Sequence, residues 1–223
     1  MIEVDVVIPV RDVDRYLAEA VDSVLDQVGA RARVTVVDAG SATPVALDPR
    51  HAANTAVRLL RHEEPLLAGA ARNLGAAAGS LPWLLFLDGD DVAVGESLAR
   101  LAAAAATSPS GVAVGHLTAF HADASATVLG LPAGEPVAYA PGGVLVARST
   151  WDAVGPFDPD LRAGEFVDWL GRLRGAGFPA VEIPDVVVRR RIHLSSTTAR
   201  QLREGARDDY LKVVRRWMRQ TGS

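Results

Sequence analysis

The sequence predicts one α/β domain built on a mainly parallel sheet with helices on both faces. Three observations carry that reading. Apolar runs of strand length alternate with segments of helical periodicity through about the first ninety residues. Each run closes on a turn signal, among them Arg11-Asp12 and Asp88-Gly89-Asp90-Asp91. The chain has 223 residues, 49% hydrophobic and 22% charged, enough to bury one core and stay soluble.

The elements follow in order. Val4 to Val10 is an apolar run closed by Pro9 and Arg11-Asp12, the first strand. Val13, Tyr16, Leu17, Ala20, Val21, Val24 and Leu25 then recur at helical spacing. Val34 to Val37 and Ala56 to Leu60 read as short buried strands, Leu66 to Ala78 as a helix of small residues, and Trp83 to Leu87 as a fourth strand ending at Asp88. Strands alternating with helices imply right-handed crossovers and parallel neighbours. After a helix at about Glu96 to Ala106 the pattern changes: Val112 to Phe120, Thr127 to Leu129 and Val144 to Ala147 read as strands joined by loops. A helix from about Glu165 to Ala176 follows, then short strands near Val181 and at Val186 to Arg190, and an amphipathic helix from about Thr198 to Arg219. No repeat or linker-like stretch divides the chain, so residues 1–223 form one domain: a nucleotide-binding half over 1–95, a smaller mixed half over 96–195, and a basic helix over 196–223.

Composition removes whole classes of function. The absence of cysteine excludes disulfide scaffolds, thiolate zinc sites, iron-sulfur clusters and cysteine nucleophiles. The N-terminus enters the alternation Glu3-Val4-Asp5-Val6-Val7-Ile8 at once, without a basic segment and signal-type core, and the longest apolar runs, such as Leu81 to Leu87, fall far short of a membrane span. The expectation is a cytoplasmic protein, at most peripheral at the inner face of the membrane. Net charge is -4, but Arg189 to Arg219 holds ten basic residues against three acidic ones. That end either meets something anionic or is a solvated helix face.

In an open parallel sheet, ligands bind beyond the carboxyl ends of the strands, where loops converge and helix N-termini point inward. The unusual polar residues fall there: Arg11 and Asp12 after the first strand, Asp38 ending the second, Arg72 and Asn73 in the helix after the third, and Asp88, Asp90 and Asp91 closing the fourth. In Phe86-Leu87-Asp88-Gly89-Asp90-Asp91, alternate residues of an extended segment share a side, so Asp88 and Asp90 can face one site across a glycine. Two carboxylates so placed suit Mg2+ or Mn2+, which take one or two carboxylates and fill their other positions with water and phosphate oxygens. The competing reading is that Asp90-Asp91 only begins the turn into the next helix.

The segments Val6-Val7-Ile8-Pro9-Val10, Val36-Val37-Asp38-Ala39-Gly40-Ser41, Ala71-Arg72-Asn73-Leu74-Gly75, Phe86-Leu87-Asp88-Gly89-Asp90-Asp91 and Gly155-Pro156-Phe157-Asp158 together resemble family 2 glycosyltransferases of the GT-A fold, from residue 4 to about 195. The resemblance implies a single Rossmann-like GT-A domain whose half over 96–195 faces the acceptor. It further implies metal-dependent, inverting transfer of a sugar from a nucleotide diphosphate sugar, a UDP-sugar first, to an acceptor nucleophile, a hydroxyl first. Mn2+ or Mg2+ is the implied cofactor, and nucleic acid is not an implied partner. Carried over residue by residue, Pro9, Val10, Arg11 and Asp12 hold the nucleoside, Asp38 contacts the base, Asp88 and Asp90 bind ribose and the metal-diphosphate, and Arg72 lies either near the donor or exposed on its helix. Gly164-Glu165-Phe166-Val167-Asp168-Trp169 resembles the Glu-Asp motif that supplies the general base. An inverting transfer needs a carboxylate opposite the leaving diphosphate to take the acceptor's proton. Glu165 is the first candidate and Asp168, one turn on, the second, with helix-dipole complementation the rival role for either. Arg189-Arg190-Arg191-Ile192-His193 resembles the late Arg-x-His element, with Arg191 meeting the diphosphate and His193 a metal or phosphate contact. His51, His62, His116 and His121 have no partners at ligand spacing and read as structural.

The sequence departs from the pattern at Ala39 and Asp12, where the family often has an acid and an asparagine, and at Phe166, where it has the aspartate of the Glu-Asp pair. A non-catalytic nucleotide-sugar or carbohydrate binding protein on a degenerate fold is the alternative. The chain lacks a Gly-x-Gly-x-x-Gly after the first strand, a phosphate-binding Gly-Lys-Ser/Thr loop and a Gly-x-Ser-x-Gly elbow. In the last helix, Tyr210, Leu211, Val213, Val214, Trp217 and Met218 lie among Lys212, Arg215, Arg216 and Arg219. That helix can pack on its own domain, lie on an anionic membrane or cover a second subunit.

Overall fold

The computed structural model describes residues 1–12, 15–129, 134, 136–138 and 140–194. Among the described residues nine strands form one sheet: β1 (Ile2–Val10), β2 (Ala30–Ala39), β3 (Val57–His62), β4 (Trp83–Phe86), β5 (Val92–Ala93), β6 (Val112–His121), β7 (Pro136–Ala138), β8 (Val144–Ala147) and β9 (Val181–Ile192). Six α-helices lie between them: α1 (Leu17–Leu25), α2 (Pro49–Ala52), α3 (Ala68–Ala78), α4 (Ser97–Ala105), α5 (Arg148–Val154) and α6 (Glu165–Gly175). The strand order is β3-β2-β1-β4-β8-β6-β9-β5, with β7 against β6.

The first four strands pair in parallel as expected, with Val6 opposite Val34 on one side and Leu85 on the other. The second half is mixed: β8 runs antiparallel to β4 and β6, and β9 parallel to β6. Alternation along β1 builds two cores. Val4, Val6 and Ile8 pack with Leu17, Ala20, Val21 and Val24 of α1 and Leu98 and Leu101 of α4. Val7 faces the other way, with Val37, Leu84 and Phe86, onto Ala71, Ala76, Trp151, Trp169 and Leu173 of α3, α5 and α6. Gly75 permits that second contact, because a Cβ there would come 2.3 Å from Val7 Cγ1 and 3.0 Å from Val37 Cγ2.

Three expectations are corrected. Thr127 to Leu129 belongs to a 3-10 turn over Ala124–Leu129 instead of a strand. The two short strands expected from Val181 to Arg190 are one strand, β9. Its pairing with β6 shifts register around the segment that carries Pro184, which has no N–H to give the ladder. Helix α5, absent from the sequence reading, buries Thr150 and Trp151. The basic helix expected over 196–223, with the membrane contact or dimer it could mediate, lies outside the described residues. Among the described residues no helix is long and apolar enough to cross a membrane.

Candidate functional site

The loops after the parallel strands are fastened to one another. Asp12, at φ 58°, donates its N–H to Ser41 Oγ at 3.0 Å, and its Oδ1 accepts from the Ala42 N–H at 2.9 Å. Gly40 has φ +77°, and a Cβ on it would lie 2.5 Å from the Glu64 backbone, so the loop after β2 nests on the loop after β3 only with glycine there. Asp38 is fully buried, and its carboxylate accepts from the backbone N–H of Ser41 at 2.9 Å and of Val45 at 3.1 Å and from Arg61 at 2.5 Å. Burial pushes its carboxyl up, but the hydrogen bonds from Ser41, Val45 and Arg61 outweigh this and hold it below the ordinary range. Asp38, expected to contact the base, has both oxygens hydrogen-bonded within the loop that follows β2 and to Arg61.

The acidic turn sits against the end of β1. A Cβ on Gly89 would meet Val10 Cγ2 at 2.9 Å and the Pro9 carbonyl at 3.3 Å, so only glycine brings Asp88 and Asp90 this close to the strand-one loop. Asp88, Asp90 and Asp91 each offer a carboxylate oxygen, all within 4.8 Å of one another. Asp91, which the sequence reading left out of the ligand set, is buried, and burial together with the charges of Asp88 and Asp90 pushes its carboxyl well up against the opposing Arg191 N–H. Three hard oxygen donors that repel one another fit a divalent ion such as Mg2+ or Mn2+.

Arg72 is buried and bridges the two halves of the site. Its Nη2 donates to Asp88 Oδ1 at 2.6 Å and its Nη1 to Glu165 Oε1 at 2.5 Å, while its Nε is buried without a partner. Burial alone would lower its proton affinity, but the neighbouring Asp88 and Glu165 charges raise it, so the guanidinium is held charged. This decides against the exposed reading of Arg72. Asn73 beside it exchanges two hydrogen bonds with the Phe157 backbone, 2.8 and 2.9 Å, tying α3 to the Gly155-Pro156-Phe157-Asp158 segment. Glu165 follows Gly164 at the start of α6, one oxygen on Arg72 and, among the described residues, no hydrogen bond to the other.

Asp168 lies in the first turn of α6 after Glu165. It is buried, and its carboxylate accepts from Arg172 Nε at 3.0 Å; Arg172 in turn holds the Val154 and Pro156 carbonyls at 2.8 and 2.6 Å. The second candidate base thus carries an ion pair one turn along its own helix. Phe166 packs into the second core. His193 is buried with Nε2 2.8 Å from Asp90 Oδ2, reaching the cluster through Asp90. Arg191, expected on the diphosphate, donates from its Nε to the Asp90 carbonyl at 3.0 Å and from its Nη2 to Glu19 at 2.5 Å. Of the remaining histidines, His51 meets Asp22, His116 meets Glu182 and His62 meets the Glu64 carbonyl.

Comparison with known proteins bears on this geometry. The profile of "Glycosyl transferase family 2" matches residues 5–136, more than half the chain. The chain belongs to glycosyl transferase family 2. It is 32% identical over 191 residues to the pre-mycofactocin glycosyltransferase of two Mycobacterium tuberculosis strains, CDC 1551 / Oshkosh and H37Rv, covering 78% of this chain and 40% of each relative. The chain thus spans about two fifths of the length of those relatives. Among solved structures, Staphylococcus aureus TarS 1-349 superposes with a TM-score of 0.72 at 15% identity over 98% of this chain and 65% of that one. Its complex with UDP-GlcNAc superposes with a TM-score of 0.74, also at 15% identity, over 98% of this chain and 66% of that one. These matches show the GT-A fold, a single α/β domain with a mixed sheet flanked by helices.

Proposed function

We propose that this member of family 2 transfers a sugar from a nucleotide diphosphate sugar, a UDP-sugar first, to an acceptor hydroxyl with inversion at the anomeric carbon and with a divalent ion. The observation that carries the reading is the buried Arg72, which places Asp88 and Glu165 on two arms of one guanidinium. A TarS structure contains UDP-GlcNAc, and the Mycobacterium tuberculosis relatives are glycosyltransferases by name, which supports a nucleotide-sugar donor. Asp88, Asp90 and Asp91 would hold Mn2+ or Mg2+, which when bound neutralises charge on the departing diphosphate.

The residues divide the work by position. The loop of Pro9, Val10, Arg11 and Asp12, braced by Ser41 and Ala42, receives the nucleoside. Arg72 supplies a fixed positive charge between donor and acceptor sides, aligned before reaction and costing no reorganisation during it. Glu165 Oε2 takes the acceptor's proton as the acceptor oxygen bonds to the anomeric carbon and the bond to the diphosphate oxygen breaks on the opposite face. A second reading, a binding protein without turnover, is favoured by Phe166 lying in the core where the family's aspartate would stand.

Calorimetry of UDP with and without Mn2+ tests the donor site. Mn2+ is expected to tighten UDP binding to the wild type and to do nothing for Asp90→Ala; equal binding in both proteins removes Asp90 from the site. Incubation with a panel of nucleotide sugars separates the two readings, since an enzyme slowly hydrolyses one of them in a Glu165-dependent way and a binder leaves every one intact.

A further inference from the structure

The end of β9 does work that the donor site as described leaves unexplained. Arg191 is buried and carries several contacts. Nε donates to the Asp90 carbonyl at 3.0 Å, Nη2 to Glu19 on α1 at 2.5 Å, and its backbone N–H to Asp91 Oδ1 at 2.9 Å. Its guanidinium carbon lies 4.3 Å from the Tyr16 ring centre and 4.7 Å from that of Phe120. Tyr16 in turn lies 5.1 Å from the His193 ring, whose Nε2 meets Asp90.

We propose that Arg191 is a positioning residue, a strut whose side chain fixes the Asp90 main chain against α1 and thereby sets the spacing of the carboxylates that receive the cation. The inference rests on the metal reading above. Asp88, Asp90 and Asp91 repel one another on an irregular turn, so their convergence within 4.8 Å needs donors from outside the turn. The Arg191 side chain gives one of those donors, the Nε–H to the Asp90 carbonyl, and its flat cation stacks on two rings and so stays in one orientation.

A strut and a diphosphate ligand differ in what a lysine does. Arg191→Lys keeps the charge but loses the Nε–H and the flat face. Binding of Mn2+ alone, followed by electron paramagnetic resonance, is expected to weaken about tenfold, the usual scale when the outer partner of a metal ligand is lost. Tyr16→Leu, which alters no charge, is expected to weaken it in the same direction, and Tyr16→Phe, which keeps the ring, to restore it. Melting curves confirm that each variant is folded; should Arg191→Lys not fold, the Tyr16 pair decides alone. Wild-type affinity for Mn2+ in Arg191→Lys and Tyr16→Leu, or a loss confined to UDP, overturns the strut. A wild type that binds no Mn2+ with or without UDP overturns the metal reading and the strut together, so the two failures are told apart.

Discussion

Replacing Arg72 by methionine removes a cation that faces both Asp88 and Glu165. The two carboxylates then fare differently. The Asp88 side chain is 41% exposed and recovers water, whereas that of Glu165 is 12% exposed and is left with a stranded charge. Breaking a fully buried pair costs about 3–5 kcal/mol, so with only one partner stranded Arg72→Met is expected to cost about 2–3 kcal/mol. At about 2–4 °C per kcal/mol for a chain of this size, the melting temperature should fall by about 4–12 °C. Urea unfolding with a chelator present measures the change. Adding Glu165→Gln removes the stranded charge and should return about half of the loss, a coupling that a double-mutant cycle isolates. A loss under about 1 kcal/mol, or a second substitution that destabilises further, refutes the account of a buried bridge.

Other expectations follow from the same contacts. Asp38 is held below the ordinary carboxylate range, so its stabilisation is fully present above the unfolded value of about 3.9 and is lost as pH falls through the lower folded value. Asp38→Asn should flatten that acid limb in urea unfolding measured from pH 7 to pH 2. Asp168→Asn should cost about 1–3 kcal/mol in the same assay through its contact with Arg172 while leaving UDP affinity unchanged in calorimetry. Gly75→Ala should cost about 1–3 kcal/mol, read from the melting curve, because the new methyl would meet both Val7 and Val37.

The first half of the fold was legible because its signals are local. Strand-length apolar runs, helical spacing and polar turns are properties of neighbouring residues, and β1 to β4 appear in the order those signals indicate. In the second half the signal weakens: Pro184 splits the apolar pattern of a strand that the ladder with β6 nevertheless holds together, and α5 is too short to show a period. The site divides in the same way. Asp88, Asp90 and Glu165 could be picked out by residue type and family pattern, and the structure brings both halves of that set onto Arg72. Tyr16 and Glu19 could not, since their partner Arg191 lies 172 or more residues away in sequence.

By itself, the sequence determined the layered α/β class, the carboxylates at the end of the fourth strand and the membership of a family whose motifs stand in order along the chain. Only the tertiary structure decided what each charged side chain faces. Asp38, Asp168 and Arg191 carry the residue types that a ligand site asks for, yet their contacts brace a loop, a helix and a turn. The reason is physical: a charge taken out of water must find partners wherever packing places them, and those partners come from distant segments that no local pattern encodes.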